Sequence, residues 1–228
     1  MSQNTRNDIK TLAYVLRRTN YAEADRILNL ITPEGKMSAI AKGARKEKSK
    51  LAGGIEMFSL VELNIHFGRT ELGVVTSSKM VKFYSDILAS LERVELATMI
   101  LKRISLAAEV AESPEYFKIT DVCLKAINRG ADLELVEAWF WLNYTRAMGE
   151  QINLYFDTNG KKLSAGKKYD WNAEKAALEE RTAGVINANT IKLMRLMLAV
   201  NIDMMEKVSG TKRYFPAILR IARAVNKI

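Results

Sequence analysis

The sequence is poor in cysteine and histidine, the residues that form disulfide bonds and structural metal sites. Cys123 is the only cysteine and His66 the only histidine among 228 residues. An internal disulfide, a thiolate zinc cluster and a histidine metal site are therefore excluded. No apolar run approaches about eighteen residues, and the first ten residues lack the apolar core of a secretory signal. These absences predict a cytoplasmic protein.

Positive charge, in contrast, is abundant. The chain has 35 Lys and Arg residues against 26 Asp and Glu residues, a net charge of +9 and a pI near 9.5. Residues 1–80 hold 13 of the basic and 8 of the acidic residues, so the first third is the denser positive region. This balance favours a polyanionic partner, either a nucleic acid or an anionic membrane.

The first third has the pattern of short strands. In the clearest one, Val61, Leu63 and Ile65 alternate with polar residues, as in a strand with one buried face. Five such segments are predicted, at residues 11–19, 24–32, 36–42, 55–67 and 70–78. Five short strands with one long loop between the third and fourth favour a small closed barrel of the OB type.

From about residue 82 the apolar residues recur every three or four positions, which predicts helices. A long helix ends near Ala111, a second ends near Gly130, and Asp132 caps a third. Two more are expected at 189–208 and from 210 to the end. The predicted fold is α+β: a nucleic-acid-binding OB barrel over 1–80, packed on an α-helical domain over 81–228 with a hairpin inserted at about 151–171.

The loop between the third and fourth strands is the main candidate site. Five basic residues fall within nine positions, with Glu47 as the only local counter-charge; they are Lys42, Arg45, Lys46, Lys48 and Lys50. Their mutual repulsion is relieved if the loop binds phosphates, although a solvated charge run is the ordinary alternative. Arg17 and Arg69 are further candidate DNA contacts. Tyr14, Tyr21 and Phe58 are candidate stacking residues, and each also fits a place in the core.

Several short motifs within residues 14–80 resemble the N-terminal domain of the bacterial recombination mediator family RecO. They are a Y-x-E-x-D turn at Tyr21, Glu23 and Asp25, a T-x-E-G-K turn from Thr32 to Lys36, and a K-G-A-R-K loop from Lys42 to Lys46. Each motif alone is weak, but their order is specific. The helical remainder is compatible with the same family.

The resemblance implies an OB fold followed by a helical domain, and binding of single-stranded and double-stranded DNA at the nucleoid. It also implies annealing of complementary strands and loading of RecA recombinase, together with RecR and the single-stranded-DNA-binding protein. Family members often carry a Cys-x-x-Cys zinc knuckle. The similar place here, Phe156 to Gly160, has no cysteine, so no metal or other cofactor is expected.

The last predicted helix is a second positive region. Its basic residues share one face and are Arg213, Arg220, Arg223 and Lys227. Members of the family that the sequence resembles bind the acidic tail of the single-stranded-DNA-binding protein. The resemblance therefore makes these four residues candidate contacts for that tail or for more DNA. The ordinary interpretation is again a solvated helix face.

Catalytic patterns are poor, so the chain is not expected to be an enzyme. The segment GKKLSAGKK, which begins at Gly160, has a phosphate-loop composition but the wrong spacing, with Lys168 where Ser or Thr is needed. Two other functions stay open from the residues alone. An OB-fold RNA-binding factor would show the same barrel and loop, and a nuclease would need magnesium.

Overall fold

The structure, a computed structural model, describes residues 8–226, which divide into two compact units. The first unit comprises residues 8–128 and the second residues 129–226. Among the described residues, no helix is both long enough and apolar enough to cross a membrane.

Five strands of the first unit form a closed barrel. They are β1 (Asp8–Tyr21), β2 (Asp25–Thr32), β3 (Gly35–Ala41), β4 (Ser59–His66) and β5 (Gly73–Phe83). Neighbours follow the order β1-β2-β3-β5-β4, and β4 returns to pair with β1. All pairs are antiparallel except β3 with β5, where Ala39 lies opposite Gly73. The predicted five-stranded OB-type barrel is confirmed.

Alternation in β4 builds the barrel core. Val61, Leu63 and Ile65 are fully buried, while the residues between them face outward. The strand begins at Ser59, later than predicted, because Phe58 adopts a left-handed backbone conformation with φ 56° that interrupts the extended chain. Ile55 is still buried in the barrel core, although it lies outside the strand.

Two helices belong to the same unit as the barrel, α1 (Leu91–Val110) and α2 (Glu115–Asn128). Lys36 of β3 forms an ion pair with Glu109 of α1. Tyr14 of β1 donates a hydrogen bond to Asp121 of α2, with 2.6 Å between the hydroxyl and Oδ1. Packing thus groups α1 and α2 with the strands, whereas the pattern of the sequence grouped all helices together.

The second unit is mostly helical. Its elements are α3 (Leu133–Ala147), β6 (Tyr169–Asn172), β7 (Ala177–Glu180), α4 (Ala188–Ala199), α5 (Ile202–Met205) and α6 (Phe215–Val225). Asp132 caps α3 by accepting from the amides of Glu134 and Leu135, as the sequence predicted. The apolar face of α6 is buried and packs on α3.

The prediction of one helix over 189–208 is wrong, because α4 ends at Ala199. Side chains of α3 take backbone carbonyls at that end: the Trp139 indole N–H donates to Val200 O at 2.8 Å, and Arg146 donates to Leu198 O at 2.6 Å. With Val200 extended, the chain leaves the helix. The last helix likewise begins at Phe215, after a short 3-10 turn at Lys212–Tyr214.

Candidate nucleic-acid interface

The basic loop, residues 42–50, is anchored to the barrel at its base. The Gly43 amide donates to Asp25 Oδ1 at 2.7 Å, and the Arg45 amide donates to Ala24 O at 2.8 Å. Both acceptors lie where the β1–β2 turn enters β2. The start of a loop that would otherwise be mobile is therefore fixed against a rigid strand pair.

The K-G-A-R-K order follows from this anchoring. Gly43 has φ +63°, a left-handed conformation that favours glycine. Ala44 then turns inward and is buried in the barrel core. Because one small apolar side chain points in, Lys42, Arg45 and Lys46 on either side of it are exposed to solvent.

The charges of the basic loop are not compensated. All five basic side chains are exposed, and none of them takes part in an ion pair within residues 8–226. Two other basic residues of the barrel strands do have partners: Arg18 pairs with Glu56 at 2.7 Å, and Lys36 pairs with Glu109. The loop thus concentrates unpaired positive charge at one end of the barrel.

Tyr21 offers an aromatic ring next to the basic loop. It is 52% exposed and pairs across the β1–β2 turn with Asp25, the residue that holds Gly43. A ring in this position can stack on a base while the neighbouring lysines hold phosphates.

The other two candidate stacking residues, Tyr14 and Phe58, are buried, so the prediction that they stack on bases is corrected. Tyr14 is 1% exposed, and its hydroxyl lies 3.0 Å from that of Tyr84 and bonds Asp121. Burial, then the hydrogen bond to Asp121, raises the Tyr14 pKa well above its ordinary value. Phe58 is 9% exposed and lies beside the barrel core. Neither ring can stack on a base in this structure, since both are enclosed by the protein.

The two outlying arginines are exposed but differ in position. Arg17 lies on β1 beside an irregularity in the register with β2, on the strand that ends at Tyr21. Arg69 lies in the β4–β5 turn, near the His66 that pairs with Asp8 at the start of β1. The basic loop meets the opposite end of this 14-residue strand, so the structure does not bring Arg69 to it.

Arg26 is a basic residue that the sequence reasoning missed. It lies opposite Ala41, the last residue of β3 before the basic loop, and no ion pair of the described residues includes it. Its place directly after Asp25 in the Y-x-E-x-D motif was the available signal.

Two family models match the chain. One is described as Recombination protein O N terminal and matches residues 6–84; the other is described as Recombination protein O C terminal and matches residues 89–225. The chain belongs to the RecO family.

Curated relatives in this family carry the name DNA repair protein RecO. The protein of Roseiflexus sp. strain RS-1 is 35% identical over 147 residues, which cover 64% of this chain and 52% of the relative. That of Dehalococcoides mccartyi strain CBDB1 is 30% identical over 201 residues, covering 83% and 78%. That of Listeria monocytogenes strain F2365 is 24% identical over 196 residues, covering 83% and 76%. The matched segment thus spans about half of the Roseiflexus protein.

Two of the candidate arginines of the RecO C-terminal region, Arg220 and Arg223, have carboxylate partners. Arg223 donates to Glu137 Oε1 at 2.8 and 3.2 Å, and Arg220 lies 3.7 Å from Asp170. The Arg213 guanidinium lies 4.9 Å from the ring centroid of Tyr214, and Lys227 is outside the described residues. The role of these four residues as contacts for DNA or an acidic tail stays a prediction.

The segment in the place of the RecO zinc knuckle does not fit a zinc ion. Asp157 Oδ1 accepts from the amides of Asn159 and Lys161 at 2.8 and 2.9 Å, so backbone hydrogen bonds hold the turn. Cys123, the only thiol, is buried in α2. Residues 155–168 contain neither Cys nor His, whereas structural zinc sites take four ligands of these types.

Proposed function

We propose that this chain is a DNA repair and recombination mediator that binds single-stranded DNA through the basic loop and anneals complementary strands. The observation that carries the proposal is the state of the five basic side chains, which are exposed, held on an anchored loop and without an ion-pair partner among residues 8–226. RecO-family membership and the DNA repair names of the relatives support DNA as the polyanion.

The physics of the basic loop favours binding that tolerates any sequence. Lys and Arg side chains neutralise phosphates and release counterions, which gives a log-log salt slope of about −0.7 per phosphate on single strands. With four to six contacts, a slope of roughly −3 to −4 is expected. Stacking on Tyr21 adds affinity for every base, since each has a π face.

The same surface supports the finer steps of the proposal. Two strands that repel each other are shielded when one positive surface holds both, which promotes annealing, and duplex phosphates fit the same side chains. We further propose RecR, the acidic tail of the single-stranded-DNA-binding protein and, indirectly, RecA as partners. In this role the chain acts at the nucleoid in the cytoplasm, and it changes no covalent bond.

A salt titration tests the DNA site. In the loop variant, Lys42, Arg45, Lys46, Lys48 and Lys50 are replaced by Gln. We expect the salt slope for a single-stranded oligonucleotide to fall by about 3. The matched control changes five exposed basic residues elsewhere, Lys102, Lys118, Lys175, Lys192 and Lys207, to Gln and should keep most of the slope. An unchanged slope in the loop variant would contradict the proposal.

A second experiment tests annealing and partner together. Complementary oligonucleotides coated with the single-stranded-DNA-binding protein, with and without its acidic tail, are mixed with this chain. Acceleration that needs the tail supports the mediator role. Competition between matched DNA and RNA strands in the same assay addresses the RNA-binding alternative, which a strong preference for RNA would favour.

A further inference from the structure

A second group of basic side chains that form no ion pair among the described residues lies in the second unit, in a segment that the proposed function does not use. We call residues 155–168 the lysine hairpin. Phe156 pairs with Lys162 in an antiparallel bridge, and the Leu163 amide donates to Tyr155 O at 2.9 Å. The Asp157 amide donates to Lys161 O at 2.8 Å, which closes the turn. The hairpin is therefore ordered by its own backbone.

The carboxylates nearest to these lysines are already engaged. Asp157 accepts hydrogen bonds from two backbone amides. The hydrogen bond from the Lys161 amide is the main cause of the lowered pKa of the Asp157 carboxyl, so this carboxylate stays charged and bound to the turn. Glu180 pairs with Lys167 at 2.5 Å. Within the described residues, no carboxylate forms an ion pair with Lys161, Lys162 or Lys168, and all three are exposed.

Two exposed aromatic rings accompany the lysines. Tyr155 is 55% exposed and Phe156 is 47% exposed. The Arg195 guanidinium lies 4.3 Å from the centroid of the Tyr155 ring and donates to Leu154 O, so one face of the ring is supported by a fixed cation. Such a stack leaves the opposite ring face available to a second planar group.

We propose that the lysine hairpin is a second binding site for single-stranded nucleic acid. Phosphates contact Lys161, Lys162 and Lys168, and bases stack on Phe156 and on the open face of Tyr155. Phe156 lies directly across the hairpin from Lys162, so an aromatic ring lies beside a cation. This arrangement suits a single strand, in which each base is next to a phosphate. The apolar area of the two exposed rings of the hairpin is small for a membrane-binding surface.

This inference shares its ligand class with the proposed function and adds a second site to it. Each unit then carries its own strand-binding site, the basic loop in the first and the lysine hairpin in the second. A single chain with two such sites holds two strands without a second copy, which suits annealing.

The test uses the full chain and a short oligonucleotide, about six thymidines, so that one molecule fills one site. In the hairpin variant, Lys161, Lys162 and Lys168 become Gln. Calorimetric titration should give two oligonucleotides per parent chain, one per loop or hairpin variant, and none when both sets are changed. In the loop-variant background, the three hairpin substitutions should reduce the salt slope by about 2.

A second substitution examines stacking without any change of charge. In the loop-variant background, Phe156→Leu keeps an apolar side chain and should weaken oligonucleotide binding about fivefold or more, because the stacking surface is lost. The matched control for the hairpin variant replaces three exposed lysines of the same unit, Lys175, Lys192 and Lys207, by Gln. This control should leave the stoichiometry of the parent unchanged.

Four results would overturn the inference. They are a parent stoichiometry of one, a hairpin variant with parental binding, Phe156→Leu with undiminished binding in the loop-variant background, and equal losses in the control. If the parent binds one strand through the basic loop, the proposed function stands and only the second site fails. If the parent binds no single-stranded DNA, both fail.

Discussion

The basic loop and helix α6 both carry positive charge, five basic residues in nine positions of the loop and Arg220 and Arg223 in the helix, and they differ in the partners of these charges. In the basic loop, no carboxylate of the described residues pairs with the five basic side chains. In α6, Arg223 binds Glu137, and Arg220 lies 3.7 Å from Asp170. A run of Lys and Arg indicates a polyanion site only where the fold leaves the charges without internal partners.

The difference has a physical origin in how each region is held. Helix α6 is held by its buried apolar face, so its polar side lies against carboxylates of neighbouring elements. The basic loop is held by backbone amides and by one buried alanine, so its side chains take no part in anchoring. Charges on α6 are therefore expected to contribute to stability, and charges on the loop to binding.

Paired charge reversals give the largest expected effect. Arg45→Glu with Lys46→Glu removes two phosphate contacts, so affinity for a single-stranded oligonucleotide should fall about 50-fold or more at about 50 mM salt. The free energy of unfolding in urea should change by less than about 0.5 kcal/mol, because these two side chains form no ion pair with any described residue. Fluorescence anisotropy and urea denaturation measure the two quantities.

The matching change in α6 should have the opposite effect, a clear loss of stability with little loss of DNA affinity. Arg220→Glu with Arg223→Glu brings new carboxylates toward Asp170 and Glu137, which should lower the free energy of unfolding by roughly 1–2 kcal/mol. Oligonucleotide affinity should change by only a few-fold. A loss of affinity as large as in the loop variant would mean that α6 also binds DNA.

Much of the fold could be predicted because its signals are local. The alternation of Val61, Leu63 and Ile65 is sufficient for a strand, and Asp132 for a helix start. The end of α4 could not be predicted, because it depends on hydrogen bonds from Trp139 and Arg146, more than fifty residues earlier in the chain.

The candidate site divides in the same way. The concentration of charge in the basic loop is visible in the sequence, and so is the motif that contains its anchor, Asp25. Which charges are paired is not visible, since Arg223 and Glu137 are 86 positions apart. The burial of Tyr14 likewise depends on a partner 107 positions away. Short-range pattern predicts the elements, whereas long-range contacts decide which side chains remain available.

An intermediate effect is expected from the loop anchor. Asp25→Ala removes the acceptor of the Gly43 amide, which should cost about 1 kcal/mol of stability and weaken DNA binding a few-fold, since a mobile loop must be ordered on binding. Asp25→Asn retains a side-chain oxygen acceptor and loses the negative charge, so its affinity should equal or exceed that of the parent. Equal affinities for the two variants would show that the anchor does not matter.

The smallest effect concerns pH and the segment before α6, where Lys212 Nζ lies 3.0 Å from Asp132 Oδ2. Burial alone would raise the Asp132 pKa, but Lys212 and the amides of Leu135 and Glu134 outweigh it and hold the pKa below its ordinary value. The carboxylate therefore contributes stability above about pH 4, its pKa in the unfolded chain, and this contribution is lost as the pH falls through the lower folded value. Asp132→Asn should flatten that part of the stability curve in urea unfolding between about pH 6 and 3. An identical acid dependence of stability in Asp132→Asn and the parent would contradict this.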